Sequence, residues 1–114
     1  MRSSQPAPPR MSPRCEPVPM EVREAADLLE RRWQLSIIYA ALTGALRFNE
    51  FAQAVAGISP RMLAERLRDL EGAGLVERTV IPSSPPTVEY RLTARGRKLG
   101  PIVEAMREYA REGV

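Results

Sequence analysis

The sequence predicts a mainly α fold that carries one small β-hairpin, which makes it an α+β domain. Between residues 20 and 112, apolar residues recur in several segments with the 3.6-residue period of amphipathic helices. Residues 75–81 and 87–92 instead have the Val, Ile and Thr content and the alternation of strands. The prolines of the intervening P-S-S-P-P cannot donate to a ladder, so the two runs form a hairpin with a stiff tip. The predicted order is α1-α2-(short β)-α3-α4-β-β-α5.

The first 19 residues differ in composition from the rest of the chain. Six of the 11 prolines fall at positions 6, 8, 9, 13, 17 and 19, which excludes a regular helix or a central strand. We therefore expect residues 1–19 to be a proline-rich, flexible N-terminal tail and residues 20–112 to form one domain. The tail is either a basic arm that lies along a nucleic acid or a partner subunit, or a disordered end.

The composition excludes several classes of protein. With no histidine and one cysteine, Cys15, the chain lacks the commonest acid-base residue, the usual zinc sites and any internal disulfide. We therefore expect no enzyme activity, no cofactor and no metal. No apolar run approaches the roughly 20 residues of a membrane span, and the first residues do not resemble a signal peptide. These features predict a cytoplasmic protein with no membrane partner.

Two helices are predicted in the first half of the domain. The first covers residues 20–31 and is acidic on the face opposite its apolar stripe. The second runs from Trp33 to Leu42 and is apolar around much of its circumference, so we expect it to be central. Gly44 closes it, and a short strand is expected at residues 46–48. The stripe of the first helix consists of Val22, Ala25, Ala26 and Leu29.

The outline of a helix-turn-helix follows. A short helix is predicted over residues 49–55, and a turn containing a glycine joins it to a helix over residues 59–71. The start of that second helix is marked by Ser59, whose oxygen can cap it, and by Pro60 at the first helical position. A hairpin directly after such a unit, here over residues 76–92, is a wing. The predicted architecture is therefore a winged helix-turn-helix.

A last helix is predicted over residues 94–112, with Thr93 as its cap. Pro101 cannot donate to the carbonyl of Arg97, so the helix is expected to be kinked or broken there. Its long apolar stripe packs on another subunit, folds back on the first helix, or does both.

The exposed side of the helix over residues 59–71 carries residue types that read base edges. Arg61 and Arg68 can each donate two hydrogen bonds to a guanine, and Glu65 between them can accept from a cytosine amino group. Double-stranded DNA is therefore the predicted partner. Six further residues are predicted to hold the DNA backbone: Arg47, Asn49, Ser59, Arg78, Ser83 and Ser84.

Three separated runs resemble a known family. They are L-R-F-N-E-F from Leu46, the 22 residues from Gly57 to Arg78, and P-P-T-V-E-Y-R-L-T-A-R-G-R from Pro85. Over residues 22–108 the chain resembles the HxlR-type winged helix-turn-helix transcriptional regulators, relatives of the MarR group. The resemblance implies a homodimer with helices 20–31 and 94–112 at its interface, and hence a pseudo-palindromic operator. The implied interface residues are Val22, Ala26, Leu29, Leu99, Ile102, Val103, Met106 and Tyr109.

The chain departs from the pattern of that family at two places. Residues 30–33 are E-R-R-W where the family usually has G-G-K-W. The cysteine that serves some members as a redox sensor aligns with Met20, whereas Cys15 lies five residues upstream and is followed by Glu16. A redox-responsive regulator that uses Cys15 is therefore kept as an alternative to the simple regulator.

Two further alternatives follow from the residues themselves. The arginines of the helix-turn-helix are balanced by Glu50, Glu65, Asp69 and Glu71, which leaves open a winged helix that contacts protein and binds no DNA. A small-molecule effector could bind around Trp33 and Tyr39, but the same residues are expected for simple packing.

Overall fold

A computed structural model of the chain describes residues 15–113. The helices are α1 (Met20–Leu29), α2 (Gln34–Leu42), α3 (Phe48–Ala54), α4 (Pro60–Gly72), α5 (Ala94–Arg97) and α6 (Gly100–Arg111), and the strands are β1 (Val76–Ile81) and β2 (Thr87–Leu92). Most of the predicted tail, residues 1–14, lies outside the described residues, and residues 15–19 form no helix or strand. None of the helices within residues 15–113 is long and apolar enough to cross a membrane.

The core is built around α2, as predicted for a helix that is apolar on most sides. Ile37 and Ile38 of α2 are fully buried beside Phe51 of α3. The leucine stripe of α4, residues 63, 67 and 70, belongs to the same core cluster and is also buried. Full burial of such side chains stabilises the fold by about 1.5–3 kcal/mol each. The apolar periodicity of the sequence thus corresponds directly to the core of the domain.

The helix-turn-helix consists of α3, a short turn and α4. The Ser59 hydroxyl accepts a hydrogen bond from the backbone N–H of Met62 at 3.0 Å, and Pro60 occupies the first turn, as predicted. In the turn, Gly57 has a φ of +93°, and a Cβ there would lie 3.7 Å from the Trp33 ring. Ile58 is half-buried against the core. The turn and the start of α4 are therefore fixed by local contacts.

The wing is a two-stranded antiparallel hairpin in which Val76 pairs with Leu92 and Val80 with Val88. Its base is anchored because Val76 and Leu92 are buried, and Thr93 donates from its hydroxyl to the Gly74 carbonyl at 2.7 Å. These contacts tie the hairpin to the end of α4.

The short strand expected at residues 46–48 is not formed. Leu46 and Arg47 precede α3 without strand structure, and the segment is joined to β2 by one backbone hydrogen bond, from Tyr90 N–H to the Leu46 carbonyl at 2.8 Å. That carbonyl lies beside a strand, but Phe48 already belongs to α3. A third strand cannot continue past a single bonded position because the chain turns into the helix.

The last predicted helix is broken into α5 and α6, as the proline led us to expect. Thr93 caps α5, since its hydroxyl accepts from the Gly96 N–H at 3.0 Å. A Cβ at Gly96 would lie 2.2 Å from the Leu75 carbonyl oxygen, so only glycine lets α5 approach the base of the wing this closely. Pro101 stands in the first turn of α6, where its missing N–H costs nothing.

Candidate nucleic-acid interface

The exposed face of α4 carries the residues predicted to read bases. The side chain of Arg61 is 91% exposed in the first turn, and its Nε lies 3.7 Å from Glu65 Oε2. An ion pair this exposed contributes about 0–1 kcal/mol, so it can be exchanged for contacts to a ligand. Arg68 is also exposed, two turns farther along the same face. The structure thus places the three predicted base-contacting residues on one solvent-facing surface.

Arg66 points to the other side of α4. Its side chain is 16% exposed, and its Nε donates to the Arg32 carbonyl at 3.1 Å while its Nη1 bonds the carboxylate of Asp69. The same carboxylate lies 3.0 Å from Nη1 of Arg31. Arg66 is therefore occupied in fixing α4 to the connection between α1 and α2. Sequence periodicity placed it beside the buried stripe but gave no sign of these partners.

The residues before α3 form a cap that the sequence does not predict. Glu50 Oε1 accepts hydrogen bonds from the backbone N–H groups of Leu46 at 2.8 Å and Arg47 at 2.9 Å. These bonds lower the pKa of the Glu50 carboxyl below its ordinary value, with the bond from Arg47 the larger cause. The usual signal for such a cap is Ser or Thr three residues before the acid. Here that position is Arg47, so the signal was absent.

Two of the residues predicted to contact the DNA backbone lie beside this cap. Arg47 precedes the first residue of α3 and Asn49 follows it, and both are exposed. The Glu50 carboxylate accepts from the backbone N–H of Arg47, so this hydrogen bond does not use the Arg47 guanidinium. Ser59 is also predicted to contact the DNA backbone, but its hydroxyl already accepts the hydrogen bond that caps α4.

At the tip of the wing the two predicted serines differ. The Ser83 hydroxyl donates to the Pro85 carbonyl at 2.6 Å, and its oxygen is 3.1 Å from the Thr87 hydroxyl. A hydroxyl has one proton to donate, so the Ser83 hydroxyl is not free to donate to a phosphate in this conformation, and a contact of Ser83 with the DNA backbone stays a prediction. Ser84 is exposed at the tip. The sequence does not reveal this difference between Ser83 and Ser84, because the hydrogen bonds of Ser83 depend on the path of the turn.

Arg78 lies on β1 opposite Tyr90, on the hairpin face that also carries Val80 and Val88. A notch of about 410 Å³ separates α4 from this face of the hairpin. Arg68 and Arg78 both line it, although one comes from the helix and the other from the wing. The fold therefore brings together two arginines for which the sequence predicts different roles, base contact for Arg68 and contact with the DNA backbone for Arg78.

The residues predicted for a subunit interface fall into three groups. Ala26, Leu29 and Leu99 are half-buried, and the two leucines line a cleft between α1 and the α5–α6 segment. Val103 is buried inside the monomer, where it packs with the core, so its prediction as an interface residue is wrong. The remaining four are exposed and form what we call the α1–α6 stripe: Val22, Ile102, Met106 and Tyr109. The last helix both folds back on its own domain and leaves an apolar surface uncovered.

The expected effector site around Trp33 and Tyr39 is not a single cavity. Trp33 packs on the turn at Gly57, with the Arg32 guanidinium 4.9 Å from its ring, whereas Tyr39 lines a cleft beside α6. A separate cleft of about 570 Å³ lies between α1 and the α5–α6 segment. It has leucine walls and charged rims: Glu21 and Glu24 on one side, Arg95 and Lys98 on the other. Cys15 is exposed and lies outside the folded domain's helices and strands.

Comparisons with known proteins agree with this geometry. Residues 28–114 match the HxlR-like helix-turn-helix family. The chain is 41% identical over 91 residues to the HTH-type transcriptional regulator YvaP of Bacillus subtilis strain 168, covering 80% of this chain and 84% of that protein. It is 39% identical over 90 residues to the HTH-type transcriptional regulator YodB of the same organism, covering 79% and 80% of the two chains.

The similar solved structures are also of regulators. The redox regulator HypR in its oxidised form superposes with a TM-score of 0.77 at 39% identity, over 82% of this chain and 97% of that one. The reduced form of YodB gives a TM-score of 0.74 at 36% identity, over 84% and 94%. The predicted winged helix-turn-helix fold is thereby confirmed.

Proposed function

The chain belongs to the HxlR-like helix-turn-helix family, and from this premise we propose that it acts as a homodimeric, sequence-specific DNA-binding transcriptional regulator. Its relatives are transcriptional regulators and not enzymes, and the chain shares that class. The observation that carries the finer proposal is the exposed face of α4. Arg61 stands there almost fully in solvent, at the end of the helix that presents residues to base edges in a helix-turn-helix.

In the proposed complex α4 enters the major groove. Arg61 donates two hydrogen bonds to a guanine, and Glu65 accepts from a cytosine amino group after its weak pair with Arg61 opens. Arg47 and Asn49 lie at the start of α3, where exposed donors can bond phosphates. The wing contacts flanking DNA. Arg66 and Asp69 take no part in the contact and hold α4 in place.

The proposed dimer uses the α1–α6 stripe. No residue of α1 is fully buried in the monomer, and the exposed apolar side chains of α1 and α6 need a partner surface to leave water. A two-fold axis would present two copies of α4 to two half-sites about 34 Å apart. The operator would then be pseudo-palindromic.

The test is fluorescence anisotropy with duplexes from the promoter of the protein's own gene. We expect nanomolar to tens of nanomolar binding that weakens steeply with salt. Arg61→Ala should lose about 1–3 kcal/mol on the operator and relax the preference at one base pair. Arg91→Ala is the matched control, since Arg91 is paired with Glu89 on the opposite face of the wing.

Two other results would contradict parts of the proposal. If Arg61→Ala weakens all sequences equally, Arg61 is a phosphate contact and the proposed base reading is wrong. If no duplex binds at low salt, the domain serves protein contact instead.

A second candidate is redox control through Cys15. Its thiol is exposed, and the structural relatives include a redox regulator in its oxidised form. Cys15 thiols of two subunits would form a disulfide, releasing two protons and two electrons to an oxidant such as diamide, which is reduced to the hydrazine. Diamide should then give a reducible covalent dimer with altered operator affinity. Cys15→Ser should abolish both effects, and unchanged affinity after oxidation would exclude this control.

A further inference from the structure

The notch between α4 and the wing has the composition of an anion site. It measures about 410 Å³, and two of its lining residues are arginines from different elements, Arg68 of α4 and Arg78 of β1. Glu71 is the one acidic residue in the lining, so the notch carries a net charge of +1 (two Arg minus one Glu). The rest of the lining is uncharged: Ala64, Leu67 and Tyr90.

These two arginines differ from their neighbours in their ion pairs. Arg61, Arg66 and Arg91 are paired with Glu65, Asp69 and Glu89 respectively. Among the ion pairs and hydrogen bonds of residues 15–113, none involves the guanidinium of Arg68 or Arg78. Both cations therefore face the notch without an internal acceptor.

Tyr90, at the floor of the notch, is held in place by contacts with neighbouring elements. Tyr90 pairs with Arg78 across the hairpin, and its ring meets the Phe51 ring edge-on at 6.3 Å between centroids. Its backbone N–H is bonded to Leu46. When the notch binds an anion, Tyr90 therefore loses little side-chain freedom, and the entropic cost falls mainly on the two arginines.

The position of the notch follows from the shape of a duplex. If α4 lies in the major groove and the wing in the neighbouring minor groove, one phosphodiester strand separates the two elements. That strand must pass between helix and wing, which is where the notch lies. We propose that Arg68 and Arg78 clamp one phosphate of this strand. The proposal rests on the proposed DNA-binding function and goes beyond it by assigning Arg68 to the backbone.

This assignment changes what Arg68 contributes. Arg61 stands in the first turn of α4, whereas Arg68 lies about 10 Å farther along the axis, beside the wing. A guanidinium on a phosphate strengthens binding to every sequence and sets the register of the domain on the duplex. Base reading is then left to Arg61 and Glu65.

The test compares Arg68→Ala, Arg78→Ala and the double variant on the operator and on a scrambled duplex. We expect each single variant to lose about tenfold in affinity on both duplexes. The double variant should lose much less than the product of the single losses, because both side chains serve one phosphate. Its slope of log K against log salt should be about 0.9 shallower per subunit. Arg91→Ala should change none of these values, and thermal unfolding verifies that each variant is folded.

A second measurement locates the phosphate. Single phosphates of the operator are replaced by neutral methylphosphonates, and one position per half-site should weaken the wild-type protein while leaving the double variant unaffected. The proposal is overturned if the double variant is as sensitive as the wild type at every position. It is also overturned if Arg68→Ala weakens the operator alone with an unchanged salt slope, a result that leaves DNA binding itself intact. If the wild-type protein binds no duplex at all, the proposed DNA-binding function itself is wrong.

Discussion

The carboxylate of Asp69 in α4 lies 3.0 Å from the guanidinium of Arg31, which belongs to the connection between α1 and α2. Arg66 donates to the same carboxylate and to the Arg32 carbonyl, so these two residues of α4 link the helix to the segment just before α2. Arg31 stands where the family pattern has glycine. At this one departure from the family pattern, the arginine side chain therefore has an acidic partner in α4.

Removing this link should destabilise the protein. Asp69→Ala leaves the mostly buried guanidinium of Arg66 without its counter-charge, and we expect a loss of about 1–3 kcal/mol in the free energy of unfolding. The measurement is urea denaturation followed by circular dichroism. Glu65→Ala is the control, because it breaks an exposed pair on the same helix worth about 0–1 kcal/mol. Equal losses in the two variants would contradict a structural role for Asp69.

The cap at the start of α3 should make stability depend on pH. Because hydrogen bonds lower the pKa of Glu50 in the folded state, its contribution is complete above the ordinary carboxyl value of 4.5. It is lost as the pH falls through the lower, folded pKa. Wild type should be more stable than Glu50→Gln at pH 7, and the difference should shrink below pH 4.5. A difference between the two proteins that stays constant from pH 7 to pH 3 would show that the charge of Glu50 is not involved.

The exposed stripe of α6 predicts how dimerisation can be disrupted. Met106 is 49% exposed in the monomer, so Met106→Arg should leave the fold intact while placing a charge in the proposed interface. Sedimentation should then give the mass of a monomer, and affinity for the full operator should fall. Glu108→Arg is the matched control, since it places the same residue on the opposite side of α6. A dimeric Met106→Arg protein would place the interface elsewhere.

Local signals in the sequence were sufficient for the helix-turn-helix and the wing. Ser59 and Pro60 predicted the start of α4 because capping depends on a few adjacent residues. The alternation in residues 87–92 predicted β2 to the residue. The break near Pro101 was also open to prediction, because proline acts on its own helix.

Features that depend on distant residues were not predicted. Val103 lies on the same apolar stripe as Met106, and only the packing of α6 on α2 decides that the first is buried and the second exposed. Arg68 and Arg78 are ten residues apart in sequence, and the hairpin has to fold back beside α4 before they share a notch. Periodicity identifies an apolar face but does not say which surface covers it.

Gln34 provides the last prediction. It is the first residue of α2 and is fully buried, yet neither its amide nitrogen nor its amide oxygen has a hydrogen-bond partner among the described residues. A buried amide without a partner costs about 1–3 kcal/mol, and methionine has a similar volume without the polar atoms. Gln34→Met should therefore raise the free energy of unfolding by about 1–2 kcal/mol. Gln53→Met, on the exposed side of α3, should change it by less than about 0.5 kcal/mol. If Gln34→Met is instead less stable than the wild type, the Gln34 amide is hydrogen-bonded in solution and the prediction is wrong.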